Sequence, residues 1–216
     1  MTATTGRERQ PVARARMRAA VALCGLAISA CGGGSAANTP SPTGQSAFDG
    51  TALTPVASAP PLALRNYLGD PVNLEHYRGK AVLVTFLYTH CVDVCPLIAA
   101  NLAVALDRLG PAARKVQVIA VSVDPRGDTR TTVTAFLRLH HMSGRMKYLI
   151  GPARQLAPVW KAWHVAAVRD PTSRKLVTHT SATYGVSATG KLMTLYGPTF
   201  QPAQIVHDIP KLISNA

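Results

Sequence analysis

The sequence predicts an α/β fold in which a central mixed sheet is flanked by helices. Two apolar runs rich in β-branched residues, 81–88 ("AVLVTFLY") and 116–123 ("VQVIAVSV"), are typical of strands that are covered on both faces. Between them, apolar residues recur at helical spacing from Pro96 until Gly110 and Pro111 end the pattern. A strand, a helix and a second strand in this order predict a parallel βαβ unit.

Shorter elements are predicted on either side of this unit. A small hairpin precedes it within residues 62–80, where extended pieces are broken by glycine-containing turns. Two helices and one short strand follow it, at about 129–141, 153–164 and 147–150. Strand-like runs around 188–190 predict a β-hairpin, and 202–215 predict a final helix that Pro210 must bend or interrupt. This order is that of a thioredoxin-like fold with an N-terminal hairpin extension.

The charge of the chain does not predict nucleic-acid binding. Its 216 residues are 47% hydrophobic and 15% charged, which excludes a largely disordered protein. The formal net charge is +13, but five of the 23 Lys and Arg residues precede position 30, together with one acid. The basic residues that remain are scattered and form no stripe with aromatic residues between them. We therefore expect a solvated basic surface and no nucleic-acid partner.

The first 30 residues predict a lipoprotein signal peptide. An arginine-bearing segment leads into the apolar run 19–30, whose 12 residues are too few to span a bilayer. The run ends in "ISAC", which resembles a bacterial lipobox, so that Cys31 would be lipidated and become the first mature residue. An ordinary signal peptide or an uncleaved anchor is the alternative. After lipidation of Cys31 and loss of Cys24, Cys91 and Cys95 are the cysteines that remain.

A tether is predicted to connect the lipid to the folded domain. Residues 31–61 are rich in Gly, Ser, Thr, Pro and Ala, nearly free of charge and without apolar periodicity. The folded domain is expected to comprise 62–216. The protein would then be exported and lipid-anchored at the outer face of the cytoplasmic membrane, or in the periplasm, of a bacterium.

Two cysteines lie where the first central strand meets its helix. Cys91 and Cys95 are four positions apart, so one helical turn would bring both sulfurs to one face. A helix N-terminus favours thiolates, which are both nucleophiles and metal ligands. The position and spacing of the pair therefore allow either thiol exchange or metal binding.

Two further features favour a metal. Three residues separate the cysteines, whereas thiol oxidoreductases commonly have two. In addition, the segment before the C-terminal hairpin, 177–186 ("VTHTSATYGV"), lacks the proline that normally faces redox cysteines in this fold and contains His179. Two thiolates and one imidazole form a suitable three-coordinate set for Cu(I) and can also hold Cu(II).

Three ordered motifs carry a resemblance to a known family. "FLYTHCVDVCP" (86–96), "VSVDPRGDT" (121–129) and "LVTHTSATYGVSATGKL" (176–192) are similar to motifs of the Sco (SenC) family of copper-binding, thioredoxin-like proteins. The likeness covers roughly residues 60–214. It implies delivery of copper to the dinuclear copper A centre in subunit II of cytochrome c oxidase, reduction of the receiving cysteines, or both.

The resemblance also implies roles for individual residues. Cys91, Cys95 and His179 match the copper ligands of the family, and Asp124 matches an acid expected to lie behind the ligands. Three departures occur in these motifs: Val92 replaces a proline, Arg126-Gly127 replaces Glu-Arg, and Thr178 replaces the acid before the histidine. None removes a ligand, but the change at 178 leaves open what orients the ring of His179.

The expected function is that of a metallochaperone rather than an enzyme. It would bind one copper ion, as Cu(I), Cu(II) or both, and its partners would be subunit II, the membrane and another exported copper donor or thiol reductant. The alternative is a thiol-disulfide oxidoreductase that keeps the cysteines of subunit II reduced through a redox disulfide between Cys91 and Cys95. A purely structural disulfide would constrain little, because it closes a short loop.

A histidine- and methionine-containing segment has two interpretations. "HHMSGRM" (140–146) contains His140, His141 and Met142 and could form a second Cu(I) site. The favoured interpretation is a helix end with a packed methionine.

Overall fold

A mixed sheet of eight strands forms the centre of the computed structural model, which describes residues 48–170, 172 and 177–214. The strands in chain order are β1 (Thr51–Ser58), β2 (Ala63–Asn66), β3 (Pro71–Asn73), β4 (Ala81–Leu87), β5 (Val116–Ser122), β6 (Met146–Ile150), β7 (Ala167–Arg169), β8 (Val177–His179), β9 (Thr183–Val186) and β10 (Lys191–Tyr196). The helices are α1 (Val94–Leu109), α2 (Arg130–Leu139), α3 (Ala153–Ala162) and α4 (Pro202–Ser214).

The strand order is β1-β10-β9-β4-β5-β6-β2-β3, and β7 pairs with β8 in a separate two-stranded ribbon. The pairs β4–β5 and β5–β6 are parallel, whereas β9 and β10 join the other side of β4 as antiparallel strands. The predicted βαβ unit and C-terminal hairpin are therefore confirmed. The N-terminal hairpin is also confirmed, because β2 and β3 pair in antiparallel fashion and β2 joins the edge at β6.

Helices cover both faces of the sheet. The hydroxyl of Tyr184 on β9 donates to the carbonyl of Trp163, just after α3, at 2.7 Å. The next residue, Gly185, lies against Leu212 of α4. Neighbouring residues of a strand point to opposite faces, so the end of α3 and helix α4 lie on opposite sides of the sheet. The residues of β4 are buried along its whole length between these layers.

The predicted boundary of the folded domain at residue 62 is wrong, because β1 lies inside the segment expected to be a tether. Residues 51–58 pair with β10 at the edge of the sheet. Nearly all their side chains are exposed, so no apolar alternation marks the strand in the sequence, and Pro55 is tolerated at an edge. The predicted signal peptide, 1–30, and the lipidation site, Cys31, lie outside the described residues.

Helix α4 continues without a break through Pro210. Of the two predicted outcomes, a bend or an interruption, the interruption therefore does not occur. Proline removes one helical hydrogen bond. Buried side chains precede and follow it, including Ile209 and Leu212, while Pro210 itself is exposed. Packing of these apolar residues on both sides holds the helix across the proline.

The segment Val94–Lys115, which comprises α1 and the turn after it, has the length and mean hydropathy of a membrane-spanning helix. It is the one such helix among the described residues. Its apolar face, including Ile98 and Leu102, is buried in the core beneath the sheet. The composition of α1 is therefore explained by its place as a core helix of the domain.

Candidate metal centre

The two cysteines lie at the carboxyl end of β4. A short turn leads from Tyr88 to Cys91, and Cys95 lies in the first turn of α1. Both are free thiols with little exposure, 9% for Cys91 and 0% for Cys95. The backbone N–H of Cys95 donates to Cys91 Sγ at 3.4 Å. The two cysteines therefore lie together as predicted, but Cys91 precedes the helix, and only Cys95 belongs to its first turn.

His179 approaches the cysteines from the ribbon, at the end of β8. Its Nε2 lies 3.8 Å from Cys95 Sγ, across 84 positions of sequence. Its Nδ1 lies 3.0 Å from the carbonyl oxygen of Thr180, which can only accept a hydrogen bond. Nδ1 therefore carries the proton of the neutral ring, and the Nε2 lone pair faces the thiol. This carbonyl orients the ring in a chain that has no acid at position 178.

Burial keeps the imidazole neutral. Desolvation lowers the pKa of His179 below its ordinary value, outweighing the backbone carbonyl of Thr180 and the charge of Cys91. The ring of Tyr88 stands edge-on to the imidazole, with centroids 5.7 Å apart. A neutral, oriented imidazole is the form that binds a metal.

The thiols differ in their tendency to ionise. A hydrogen bond from the Cys95 thiol lowers the pKa of Cys91 to about 5, assisted by the backbone at Asp93 and Cys95 and by Tyr88. Donation of this hydrogen bond to Cys91, together with burial, raises the pKa of Cys95. The expectation that a helix N-terminus favours both thiolates therefore holds for Cys91 only. These pKa shifts favour Cys91 as the thiolate and Cys95 as the thiol at neutral pH.

Cys91 lies between two surface clefts. One, of about 320 Å³, is lined by Cys91, His179, Tyr88 and the carboxylates Asp93 and Asp170. The other, of about 460 Å³, runs between α2 and the turn from Tyr88 to Cys91, here named the cysteine turn. Its lining residues include His90, Phe136 and Leu139. A soft ligand or a disulfide can therefore reach Cys91 from either side.

Asp124 lies at the end of β5, almost fully buried. Its carboxylate accepts the N–H groups of Arg126 and Gly127 and forms an ion pair with Arg169 of β7. Among the described contacts, none joins it to Cys91, Cys95 or His179. Its connection to the candidate ligands runs through the ribbon that carries the histidine.

Asp128 is a residue that the sequence reasoning did not single out. Its buried carboxylate accepts four hydrogen bonds: the N–H and hydroxyl of Thr89, both at 2.8 Å, and the hydroxyls of Ser122 and Tyr148 at 2.6 and 3.0 Å. Desolvation raises its pKa despite these donors. It fixes Thr89, which lies inside the turn from Tyr88 to Cys91. The available signal was a second acid in the motif "VSVDPRGDT".

The methionines of the segment 140–146 belong to the core. Met142 and Met146 are 0% and 3% exposed, and the ring of His140 packs on Phe136 with centroids 4.5 Å apart. The favoured interpretation, a helix end with packed methionine, is confirmed.

A second cluster of potential metal ligands lies beside the edge strand β1. Ligand atoms of Asp49, His207 and Asp208 all lie within 4.8 Å of one another. The buried Asp208 already accepts the N–H groups of Asp49 and Gly50 and the hydroxyl of Tyr196. Lys211 Nζ also lies 3.0 Å from His207 Nε2. These contacts hold Asp49 and Gly50, just before β1, against α4.

Comparison with known proteins finds similarity over the part of the chain that contains the sheet and the candidate site. The family model SCO1/SenC matches residues 52–214. The SenC protein of Rhodobacter capsulatus is 33% identical over 126 residues, or 57% of this chain and 56% of that protein. The mitochondrial SCO2 homolog of Mus musculus is 27% identical over 157 residues, or 70% of this chain and 61% of that protein. This chain thus spans about three-fifths of the length of these curated relatives.

Among solved structures, Bradyrhizobium japonicum ScoI with copper bound is 28% identical and superposes with a TM-score of 0.64. The superposition covers 72% of this chain and 99% of ScoI. The predicted thioredoxin-like fold is therefore confirmed. The family model covers most of the chain and includes Cys91, Cys95, Asp124 and His179. The chain therefore belongs to the SCO1/SenC family.

Proposed function

We propose that the protein is a copper metallochaperone that holds one copper ion through Cys91 Sγ, Cys95 Sγ and His179 Nε2. The observation that carries this proposal is the orientation of His179. Its Nε2 lone pair faces Cys95 Sγ at 3.8 Å because Nδ1 donates to the carbonyl of Thr180. A histidine oriented toward a pair of free thiols has the arrangement of a metal ligand.

The donor set suits copper as the transported ion. Thiolates are soft ligands that select Cu(I), and imidazole suits Cu(II) as well. Cys91 already ionises near pH 5, whereas Cys95 must release its thiol proton when copper binds.

The receiving protein would take copper by ligand exchange. Three protein ligands leave room for an incoming sulfur, and the cleft between the cysteine turn and α2 exposes Cys91 on the side away from His179. We propose that the receiver is subunit II of cytochrome c oxidase, in which copper would enter the copper A centre. Membership of the SCO1/SenC family and the copper-bound structure of ScoI support this proposal. Export and anchoring through a lipid on Cys31 are part of the same proposal.

The asymmetry of the cysteine pair favours a second function, thiol-disulfide exchange. The Cys91 thiolate would attack a substrate disulfide, form a mixed disulfide and release one substrate thiolate. Cys95, after losing its proton, would attack Cys91 and release the second, leaving a Cys91–Cys95 disulfide. Two electrons pass from the protein dithiol to the substrate, so a separate exported dithiol must reduce the protein again.

Copper affinity of the reduced protein separates these functions. The parent protein, His179→Ala and Cys91→Ser are compared by competition with a copper chelator, with His76→Ala, an exposed histidine distant from the cysteines, as the control. We expect one tightly bound copper in the parent and in His76→Ala, and much weaker binding in the other two. Equal affinity of His179→Ala and the parent would contradict the metal site. Full disulfide-reducing turnover of metal-free His179→Ala would instead support the oxidoreductase.

A further inference from the structure

A chain of polar contacts connects the cysteine turn with the histidine ribbon. Thr89, two residues before Cys91, donates to Asp128, and Ser122 donates to the same carboxylate. The hydroxyl of Ser122 also accepts the N–H of Asp124 at 3.1 Å. The carboxylate of Asp124 then forms its ion pair with Arg169 of the ribbon. Both parts of the candidate copper site are therefore attached to the end of β5.

The register of the ribbon places Arg169 and His179 on one face. Ala167 pairs with His179, and Arg169 pairs with Val177. Side chains directly opposite one another in an antiparallel pair share a face, as do residues two apart in one strand. Val177 is buried, whereas Val168 and Thr178, on the other face, are exposed. The face with Arg169 and His179 is therefore the one that packs on the domain.

Among the described residues, side chains attach that face to the domain, and they include the Arg169–Asp124 ion pair and the ring of Tyr88 against His179. No described residue of the ribbon pairs with a strand of the eight-stranded sheet, so the position of the ribbon depends on such contacts and on the connecting backbone. The Arg169 side chain is 28% exposed and the Asp124 side chain 2%. A charge-assisted hydrogen bond in such a shielded place is stronger and less affected by salt than an exposed ion pair.

We infer that Arg169 is a positioning residue, which fixes the distance between His179 and the two cysteines through its ion pair with Asp124. This inference rests on the proposed copper site and deepens it. Loss of the ion pair would leave the cysteine pair intact and free the imidazole to move away. Copper binding would then weaken most for Cu(II), the oxidation state that depends more on the nitrogen ligand.

The test uses the full-length chain in which Cys24 and Cys31 are replaced by serine, so that Cys91 and Cys95 are the remaining thiols. Arg169→Gln removes the charge, and Arg169→Lys keeps it. Arg130→Gln is the matched control, because Arg130 donates to the carbonyls of Tyr67 and Leu68, away from the ribbon. Cu(II) affinity is measured by chelator competition, and electron paramagnetic resonance reports the nitrogen coupling of the bound ion.

We expect Arg169→Gln to lower Cu(II) affinity by about 10- to 100-fold, the range found for groups that orient metal ligands. Its nitrogen coupling should weaken, while its cysteine midpoint potential should match that of the parent. Arg169→Lys should recover part of the affinity, and Arg130→Gln should match the parent. Parent-like affinity and nitrogen coupling in Arg169→Gln would overturn the inference.

Amide hydrogen exchange distinguishes failure of this inference from failure of the proposed function. If copper does not bind through His179 at all, the ion pair should still protect the ribbon, and Arg169→Gln should speed exchange at 167–169 and 177–179 relative to Arg130→Gln. Unchanged exchange at these positions would overturn the positioning role of Arg169, whatever the copper ligands are.

Discussion

The two halves of the candidate copper site are held in different ways. The cysteine turn continues directly from β4, which is buried along its whole length, and Asp128 fixes its start through Thr89. The histidine lies on a three-residue strand of a separate ribbon, and the described contacts that attach this ribbon to the domain include the Arg169–Asp124 ion pair and the ring of Tyr88 against His179. One half is therefore part of the sheet, and the other is attached to it by side chains.

This difference suggests how a three-ligand site can both hold and release a metal. The two sulfurs are four positions apart in one turn, so the fold brings them together before copper arrives. The histidine approaches them from the separate ribbon, with its Nε2 3.8 Å from Cys95 Sγ. A receiving protein could then displace the histidine first without disturbing the core.

The largest expected effect comes from breaking the cysteine half. Cys91→Ser removes a soft ligand that is already ionised near pH 5. Affinity for Cu(I), measured by competition with a chelator, should fall by more than about 100-fold, beyond the loss expected for groups behind the ligands. Ser35→Ala, which lies outside the described residues, is the control. A Cys91→Ser protein that keeps one tightly bound Cu(I) would show that copper binds elsewhere.

Asp128→Ala should destabilise the half that is built into the sheet. It leaves the buried hydroxyls of Ser122 and Tyr148 and the N–H of Thr89 without their acceptor, which costs about 2–4 kcal/mol of unfolding free energy. Denaturant unfolding measures the loss. The control is Asp107→Ala, whose exposed pair with Arg145 is worth about 1 kcal/mol or less. Equal losses in the two variants would argue against a special role for Asp128.

The pH dependence of alkylation tests the link between the cysteines. The pKa of Cys91 is lowered mainly by the thiol of Cys95, so the parent should react as a thiolate at pH 6 and lose reactivity as the pH falls below about 5. Cys95→Ala removes that donor and raises the pKa of Cys91. Once that pKa exceeds 6, alkylation at pH 6 should slow by about tenfold for each further unit of increase in pKa. An unchanged pH profile in Cys95→Ala would contradict the hydrogen bond between the thiols.

The smallest effect is expected from the segment that resembled a second copper site. Met142 is fully buried in the core, and leucine has a similar volume. Met142→Leu should leave copper stoichiometry unchanged and alter the free energy of unfolding by less than about 1.5 kcal/mol. Loss of a copper ion from this variant, measured by elemental analysis, would support a second copper site in residues 140–146.

Local patterns in the sequence predicted the half of the site that depends on local structure. Continuous apolar runs marked β4 and β5, and the spacing of Cys91 and Cys95 predicted that both sulfurs lie together. The exposed edge strand β1 was not predicted, because it is held by backbone pairing rather than by apolar burial.

The contacts that complete the site join distant segments. Arg169 and Asp124 are 45 positions apart, and Thr89 and Asp128 are 39 apart. The strands of the ribbon are three residues long, too short for a periodic pattern. The family motif identified His179, but the carbonyl of Thr180 that orients its ring is a backbone group that no side-chain pattern reports.

The central claim is that copper is held jointly by the cysteine turn and the histidine ribbon. X-ray absorption of the Cu(I)-loaded protein tests it most directly, by counting the sulfur and nitrogen ligands in the parent and in His179→Ala. We expect two sulfurs and one nitrogen in the parent, with the nitrogen lost in His179→Ala. An identical, sulfur-only shell in both proteins would contradict the claim and leave the histidine outside the copper site.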